Sequence, residues 1–324
     1  MKVFVTGATG AIGRPLIQQL VAAGHDVVGS TRSGRRAPLI EEAGARAAVL
    51  DVLDADAVGQ AVSEAQPDAI IHEATALAGS LDMRHFDRSF ALTNRLRTEG
   101  TSHLLSAARA VGAQRFIAQS FAGWPFERTG GPVKTEDAPL DPDPPKAVRT
   151  TLDAIAQQER AVTGAQWLEG IALRYGGFYG PGTSMQVDPP GEQTEMILKR
   201  KLPIVGSGGG LWSLIHVADA ASATVAALER GNRGVYHVVD DEPARAADLI
   251  PGIAELLGAK PPFSVPRWLG RLLAGEAAVV MMTELRGASN EKAKRELGWQ
   301  PRYPSWRQGF AQAAGTPAVA EVAA

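Results

Sequence analysis

Eight residues, TGATGAIG from Thr6 to Gly13, restrict the possible folds more than any other stretch of this chain. They follow KVFVT, an apolar run that reads as a buried strand. They open AIGRPLIQQLVAAG, an amphipathic helical pattern that ends in Gly24. A strand that turns into a helix through T-G-x-x-G-x-x-G has the context of a dinucleotide-binding turn. Gly7 allows the tight turn, Gly10 lets the backbone approach a pyrophosphate, and Gly13 permits close helix–strand packing. Thr6, Ala11 and Ile12 complete the cradle, and the helix N-terminus favours negative phosphates. The plainer reading is a glycine-rich turn without a ligand. Placement directly after the first strand favours the ligand.

The rest of the first two-thirds alternates in the same way. DVVGST, RAAVLD, DAIIHEA, RFIAQS and EGIALRYG read as further strands. Helical patterns lie between them, one near Asp54 to Ala65, a long one from about Arg84 to Val111, and one from Lys146 to Arg160. Short apolar strands between such helices predict βαβ units around a parallel sheet. The expected fold is α/β, a Rossmann-type doubly wound parallel sheet with a smaller C-terminal substrate lobe. Residues 1–180 form the dinucleotide-binding domain in this reading. Residues 181–315, richer in Gly and Pro, form most of the lobe and interleave with the sheet. Residues 316–324 are expected to be a flexible tail.

The formal net charge of −2 gives no nucleic-acid footprint. Cys is absent, which excludes disulfides, thiolate catalysis and thiolate-bound metal. The six His show no metal-ligand spacing, so no metal is expected. No run of about 18 apolar residues occurs and no signal peptide is legible, so a cytoplasmic protein that does not insert in membranes is expected.

The cofactor can be read from the second strand, which ends GSTRSGRR. A NAD-preferring site places an acid there for the ribose hydroxyls. This chain has none, and Arg32, Arg35 and Arg36 follow, which suits the 2′-phosphate of NADP better than NAD.

Several segments together resemble the extended short-chain dehydrogenase/reductase family, the NAD-dependent epimerase/dehydratase type. They are TGATGAIG, DVLD at Asp51–Asp54, HEAT at His72–Thr75, LRYGGFYGPG at Leu173–Gly182, IHVADAA from Ile215 and SNEKAKRELGWQPRY from Ser289. The resemblance covers nearly the whole chain. It implies that Asp51 and Val52 flank the adenine, that Ala74 and Thr75 lie beside the cofactor, and that the protein is a homodimer acting on a small molecule.

The same resemblance exposes a departure. The family usually carries Tyr-x-x-x-Lys on the helix after the fifth strand, where the Tyr exchanges a proton and the Lys lowers its pKa. Counting back from Glu159 puts Thr151 and Ile155 in those places. The family's catalytic Ser or Thr falls on Ser120, and its Asn before Gly-Thr is replaced by Arg97, with Asn94 one turn earlier. Tyr175, on the sixth strand, is a candidate substitute donor, though a packed aromatic with its hydroxyl satisfied is the plainer role. Phe121, Trp124, Phe178 and Met196 complete the expected pocket, an apolar set suited to a hydrophobic substrate. The expectation is an NADP(H)-dependent oxidoreductase acting on a small hydrophobic carbonyl or enone. Two alternatives stay open. One is an NADP-binding regulatory protein without turnover. The other is an epimerase or dehydratase acting on a sugar-type substrate.

Overall fold

The computed structural model describes residues 1–77, 82–123 and 126–315. The expected flexible tail, 316–324, lies outside the described residues, as does Trp124.

The chain starts with β1 (Lys2–Thr6), α1 (Gly13–Ala22), β2 (Asp26–Thr31), β3 (Arg46–Val49), α2 (Ala55–Ala65) and β4 (Ala69–His72). It continues with α3 (Thr101–Val111), β5 (Arg115–Phe121), α4 (Arg149–Thr163), β6 (Glu169–Tyr175), α5 (Val217–Arg230) and β7 (Gly234–Val238). Local chemistry sets several of the ends. Asp54 caps α2 by accepting from the backbone N–H groups of Asp56 and Ala57. Gly112 closes α3 in the left-handed region.

The seven strands pair in parallel in the order β7-β6-β5-β4-β1-β2-β3. Register follows the apolar pattern. Val3, Val5, Ile71, Ile117 and Leu173 pack on one face, against α1 and α5. Phe4, Ile70, Phe116 and Ala118 pack on the other, with α2 and α3. A slip of one residue would exchange the two sets, so burial on both faces fixes the pairing. The order reverses at β1, whose neighbours are β2 and β4. A crevice therefore opens beyond the C-terminal ends of these strands, which is where such sheets bind ligands. Gly234–Val238 completes the main sheet although it follows much of the smaller lobe in sequence.

The long region from about Arg84 to Val111 is helical as expected, but in several pieces. Helical turns at Phe86–Ser89 and Ala91–Arg95 meet at Phe90, whose φ of −94° and ψ of 0° are not helical. A π-helical turn at Leu96–Gly100 then joins them to α3. Amphipathic periodicity is blind to one extra residue in a turn, which is why the sequence pattern does not mark the breaks. The smaller lobe gathers Glu192–Leu198, Ala246–Leu256, Arg267–Thr283 and Trp306–Ala313 around a second core that includes Ile250, Ile253, Trp306 and Phe310. No helix among the described residues is long and apolar enough to cross a membrane.

Candidate active site

The glycine-rich turn sits at the reversal point between β1 and α1. Gly7 has φ +73°, and a Cβ there would lie 2.7 Å from the backbone of Glu73. A Cβ on Gly13 would lie 2.2 Å from the carbonyl oxygen of Gly7. Both positions must be glycine for the turn to press against the end of β4. The N-terminus of α1 has no side-chain cap and no acid in its first turn. The Arg14 and Leu16 N–H groups are taken by the carbonyls of Gly10 and Ile12 and Pro15 has none, so it is the positive dipole end at Ile12 and Gly13 that suits the diphosphate of a dinucleotide. Thr6 is buried, and its hydroxyl lies 2.7 Å from Nδ1 of His72. The other ring nitrogen of His72 lies 3.0 Å from the carbonyl of Leu96. Burial pulls the His72 pKa down to about 4, so its neutral ring ties β1 and β4 to the π turn.

The remaining cofactor-side candidates surround this turn. Asp51 is exposed and accepts from the N–H of Leu53 at 3.0 Å. Val52 is buried, and Ala74 and Thr75 are half-buried just beyond β4. Arg32 is exposed at the end of β2, and Arg35 and Arg36 are exposed on the 3₁₀ turn that follows. No ion pair among the described residues engages these three guanidinium groups. The set fits a dinucleotide: a helix dipole end beside the glycine turn for phosphates, and guanidiniums just after β2 outside any ion pair among the described residues.

Ser120 lies on β5 and is buried. Its hydroxyl donates to Oε1 of Glu159 at 2.6 Å. Glu159, on α4, also takes two bonds from Arg174 of β6, each at 2.7 Å. This buried triad clamps α4 onto the sheet and holds the Ser120 hydroxyl inside it.

Tyr175 points to the opposite face of the sheet, into the core with Ile171 and Leu173. Its hydroxyl donates to Oε1 of Glu73 at 2.9 Å and lies 2.6 Å from Oγ1 of Thr224 on α5. Burial raises the Glu73 pKa to about 8, so this carboxyl is largely protonated at neutral pH. Burial, reinforced by Glu73, pushes the Tyr175 hydroxyl well above its ordinary value. An acidic residue within the apolar run DAIIHEA is the sequence signal that flags such a buried acid.

A small, tight crevice lies at the N-terminal end of α4. Thr151, Leu152 and Ile155 line it from α4, with Val148 just before that helix. Phe121 closes it from the end of β5, and Phe86, Phe90 and Arg97 from the broken helical region. The Thr151 hydroxyl donates to Oδ1 of Asp87 at 2.7 Å and accepts from Nδ2 of Asn94 at 3.0 Å. Both backbone N–H groups of Thr150 and Thr151 also reach the Asp87 carboxylate. Thr151 and Ile155, which the count from Glu159 puts in the places of the family's Tyr and Lys, both line the crevice, and neither offers it a free proton. Ser120 and Tyr175 do not border the crevice. Among the expected pocket residues, Phe121 does. Phe178 instead packs on Tyr175, with ring centroids 5.3 Å apart, and Met196 is half-buried on Glu192–Leu198. Asp87 carries no sequence signal for its part here, because its partners lie over sixty residues away.

Comparison with known proteins agrees with this geometry. The family model described as "NAD dependent epimerase/dehydratase family" matches residues 3–239. A Streptomyces protein named 3-diazoavenalumate denitrifying reductase is 46% identical over 313 residues, covering 96% of this chain and 99% of its own. The 2-alkyl-3-oxoalkanoate reductase of Stenotrophomonas maltophilia is 28% identical over 80% of this chain and 76% of its own. Among solved structures, the Thermus thermophilus UDP-glucose 4-epimerase in complex with NAD superposes with a TM-score of 0.74 at 24% identity, covering 97% of this chain and 98% of that one. The chain belongs to the NAD dependent epimerase/dehydratase family, as an NAD(P)-dependent oxidoreductase of the extended short-chain dehydrogenase/reductase type.

Proposed function

We propose that this protein is an NADPH-dependent reductase of small aromatic diazo compounds, related in chemistry to the 3-diazoavenalumate for which its Streptomyces relative is named. The observation that carries this reading is the crevice wall. Where the family supplies a proton donor, the Thr151 hydroxyl is held by Asp87, Ile155 is apolar, and the Ser120 hydroxyl is held by Glu159.

Reduction of a carbonyl leaves an alkoxide, which needs an acid close by. A diazonium needs none. When bound, the dihydronicotinamide supplies one hydride, and an aryl diazonium plus that hydride balances as the arene plus dinitrogen, with the dinucleotide leaving oxidised. If the ring also carries an ionised hydroxyl, solvent returns one proton to it. The protein's own part is binding, orientation and exclusion of water. The α1 N-terminus would hold the phosphates of the dinucleotide, and Arg32 and Arg35 its 2′-phosphate. Phe121, Leu152 and the stacked Phe86–Phe90 pair line the crevice that would receive a flat ring.

The test is an assay of cofactor oxidation with 3-diazoavenalumate and with a diazotised aminophenol, following the deaminated arene and released dinitrogen. Expected are stoichiometric arene and a clear preference for NADPH over NADH. No cofactor oxidation with either diazo compound, alongside turnover of a ketone, an enone or UDP-glucose, would overturn the reading.

A further inference from the structure

Among the described residues that line the crevice, Arg97 is the one with a charged side chain. It is only 4% exposed. Among the described residues its guanidinium makes a single long hydrogen bond, 3.5 Å to Oδ1 of Asn94, and no ion pair. It also lies over the ring of Phe90, 6.0 Å from its centroid. Glu159 is a nearby carboxylate, and it is already engaged by both arms of Arg174 and by Ser120. Burial draws the Arg97 pKa down to about 10, which still leaves the group charged at neutral pH.

A guanidinium taken from water without a partner is costly, and structures tolerate one where a ligand completes it. Here the backbone is also specialised. The π turn at Leu96–Gly100 presents Arg97 on the helix side that faces α4, and such turns concentrate at functional positions. The planar fork of a guanidinium matches an anionic oxygen or a carboxylate pair better than an ammonium does.

We propose that Arg97 receives an anionic oxygen of the substrate, a ring carboxylate or an ionised phenol, and so orients the aromatic ring in the crevice. This rests on the crevice being the substrate site. An ionised hydroxyl beside a diazo group is one form of that chemistry, and a carboxylate side chain is the other.

The experiment is calorimetric titration of the NADP⁺-bound protein at mildly alkaline pH with three probes. Cinnamate carries only a carboxylate, 4-nitrophenolate only an ionised hydroxyl, and methyl cinnamate neither. At least one anion is expected to bind roughly tenfold or more tightly than the ester, as a charge-assisted hydrogen bond implies. Whichever anion shows the advantage identifies the source. Arg97→Gln should erase that advantage, and Arg97→Lys should keep part of it. The two variants guard against loss of folding, which a thermal melt of each checks. Equal binding of all three probes, no binding of any, or an advantage that survives in Arg97→Gln would overturn the proposal. So would an equal loss of affinity for NADP⁺ alone in Arg97→Gln, because the guanidinium would then serve the cofactor. Failure of every diazo compound to turn over removes the diazo reading and leaves the anion-binding result intact.

Discussion

Ser120 and Tyr175 illustrate how a residue's role depends on the direction of its side chain. Each stands at a strand position close to the expected chemistry, and each hydroxyl is bound to a buried Glu, Glu159 for Ser120 and Glu73 for Tyr175. Ser120→Ala therefore acts on stability. Glu159 keeps both bonds from Arg174, so the loss should be roughly 1–3 kcal/mol, that of a buried hydrogen bond to a charged group. Turnover should stay within about threefold of the parent, because the hydroxyl does not border the crevice. Chemical denaturation and steady-state kinetics on the same preparation check both halves, and a hundredfold loss of kcat with unchanged stability would return Ser120 to the chemistry. Counting along β5 reached the right strand. It could not tell which side Ser120 faces at the point where the strand leaves the sheet.

At the scale of elements, the strand–turn–helix unit at the N-terminus was fully legible. Gly7 and Gly13 are required there by close contacts with backbone atoms. Gly13→Ala puts a methyl carbon 2.2 Å from a backbone oxygen that cannot swing away. Overpacking of this kind should destabilise by about 1–3 kcal/mol and move the α1 N-terminus off the phosphates. A lowered melting temperature together with at least tenfold weaker NADP⁺ binding is expected, and normal binding would mean the turn is not the cradle. Helix α4 was also legible as a helical pattern, and Leu152, Ile155 and Val162, spaced at helical intervals, bury its inner face. The stretch from Phe86 to Gly100 was not. Its break at Phe90 and its π turn are stabilised by packing against α4 and by the His72 bond to Leu96, contacts from distant parts of the chain.

Across the whole molecule, buried titratable groups make stability depend on pH in two opposing ways. His72, His216 and His237 have pKa values drawn down to about 4, 4 and 3, in each case chiefly by burial. Their unfolded forms take up protons below about pH 6.5 while the folded forms do not, so stability is lost as pH falls through that range. Glu73 works the other way. Its folded pKa near 8 exceeds the unfolded value of 4.5, so the folded state keeps a proton that the unfolded chain releases. Its contribution is complete below about pH 4.5 and is lost as pH rises toward 8. Glu73→Gln removes the Glu73 share of this second slope, while Asp240, Asp219 and Glu136, also raised by burial, keep theirs. Denaturation midpoints between pH 5 and 8 should therefore climb more steeply with pH in the variant than in the parent. Parallel curves would show that Glu73 is ionised in the fold.

The sequence by itself determined the layered α/β architecture, the strand–turn–helix unit with its glycines, the arginines after β2, and Thr151 and Ile155 on α4 where the family resemblance expects Tyr and Lys. These are local matters of periodicity, steric demand and residue identity, written within a few neighbouring positions. Tertiary structure alone decided that Ser120 belongs to Glu159, that Tyr175 belongs to Glu73, and that Arg97 stands nearly unpartnered on an apolar wall. The physical reason is distance along the chain. Ser120 and Glu159 are 39 residues apart, and Glu73 and Tyr175 are 102. A buried polar group takes its function from the partner that satisfies it, and only folding selects that partner.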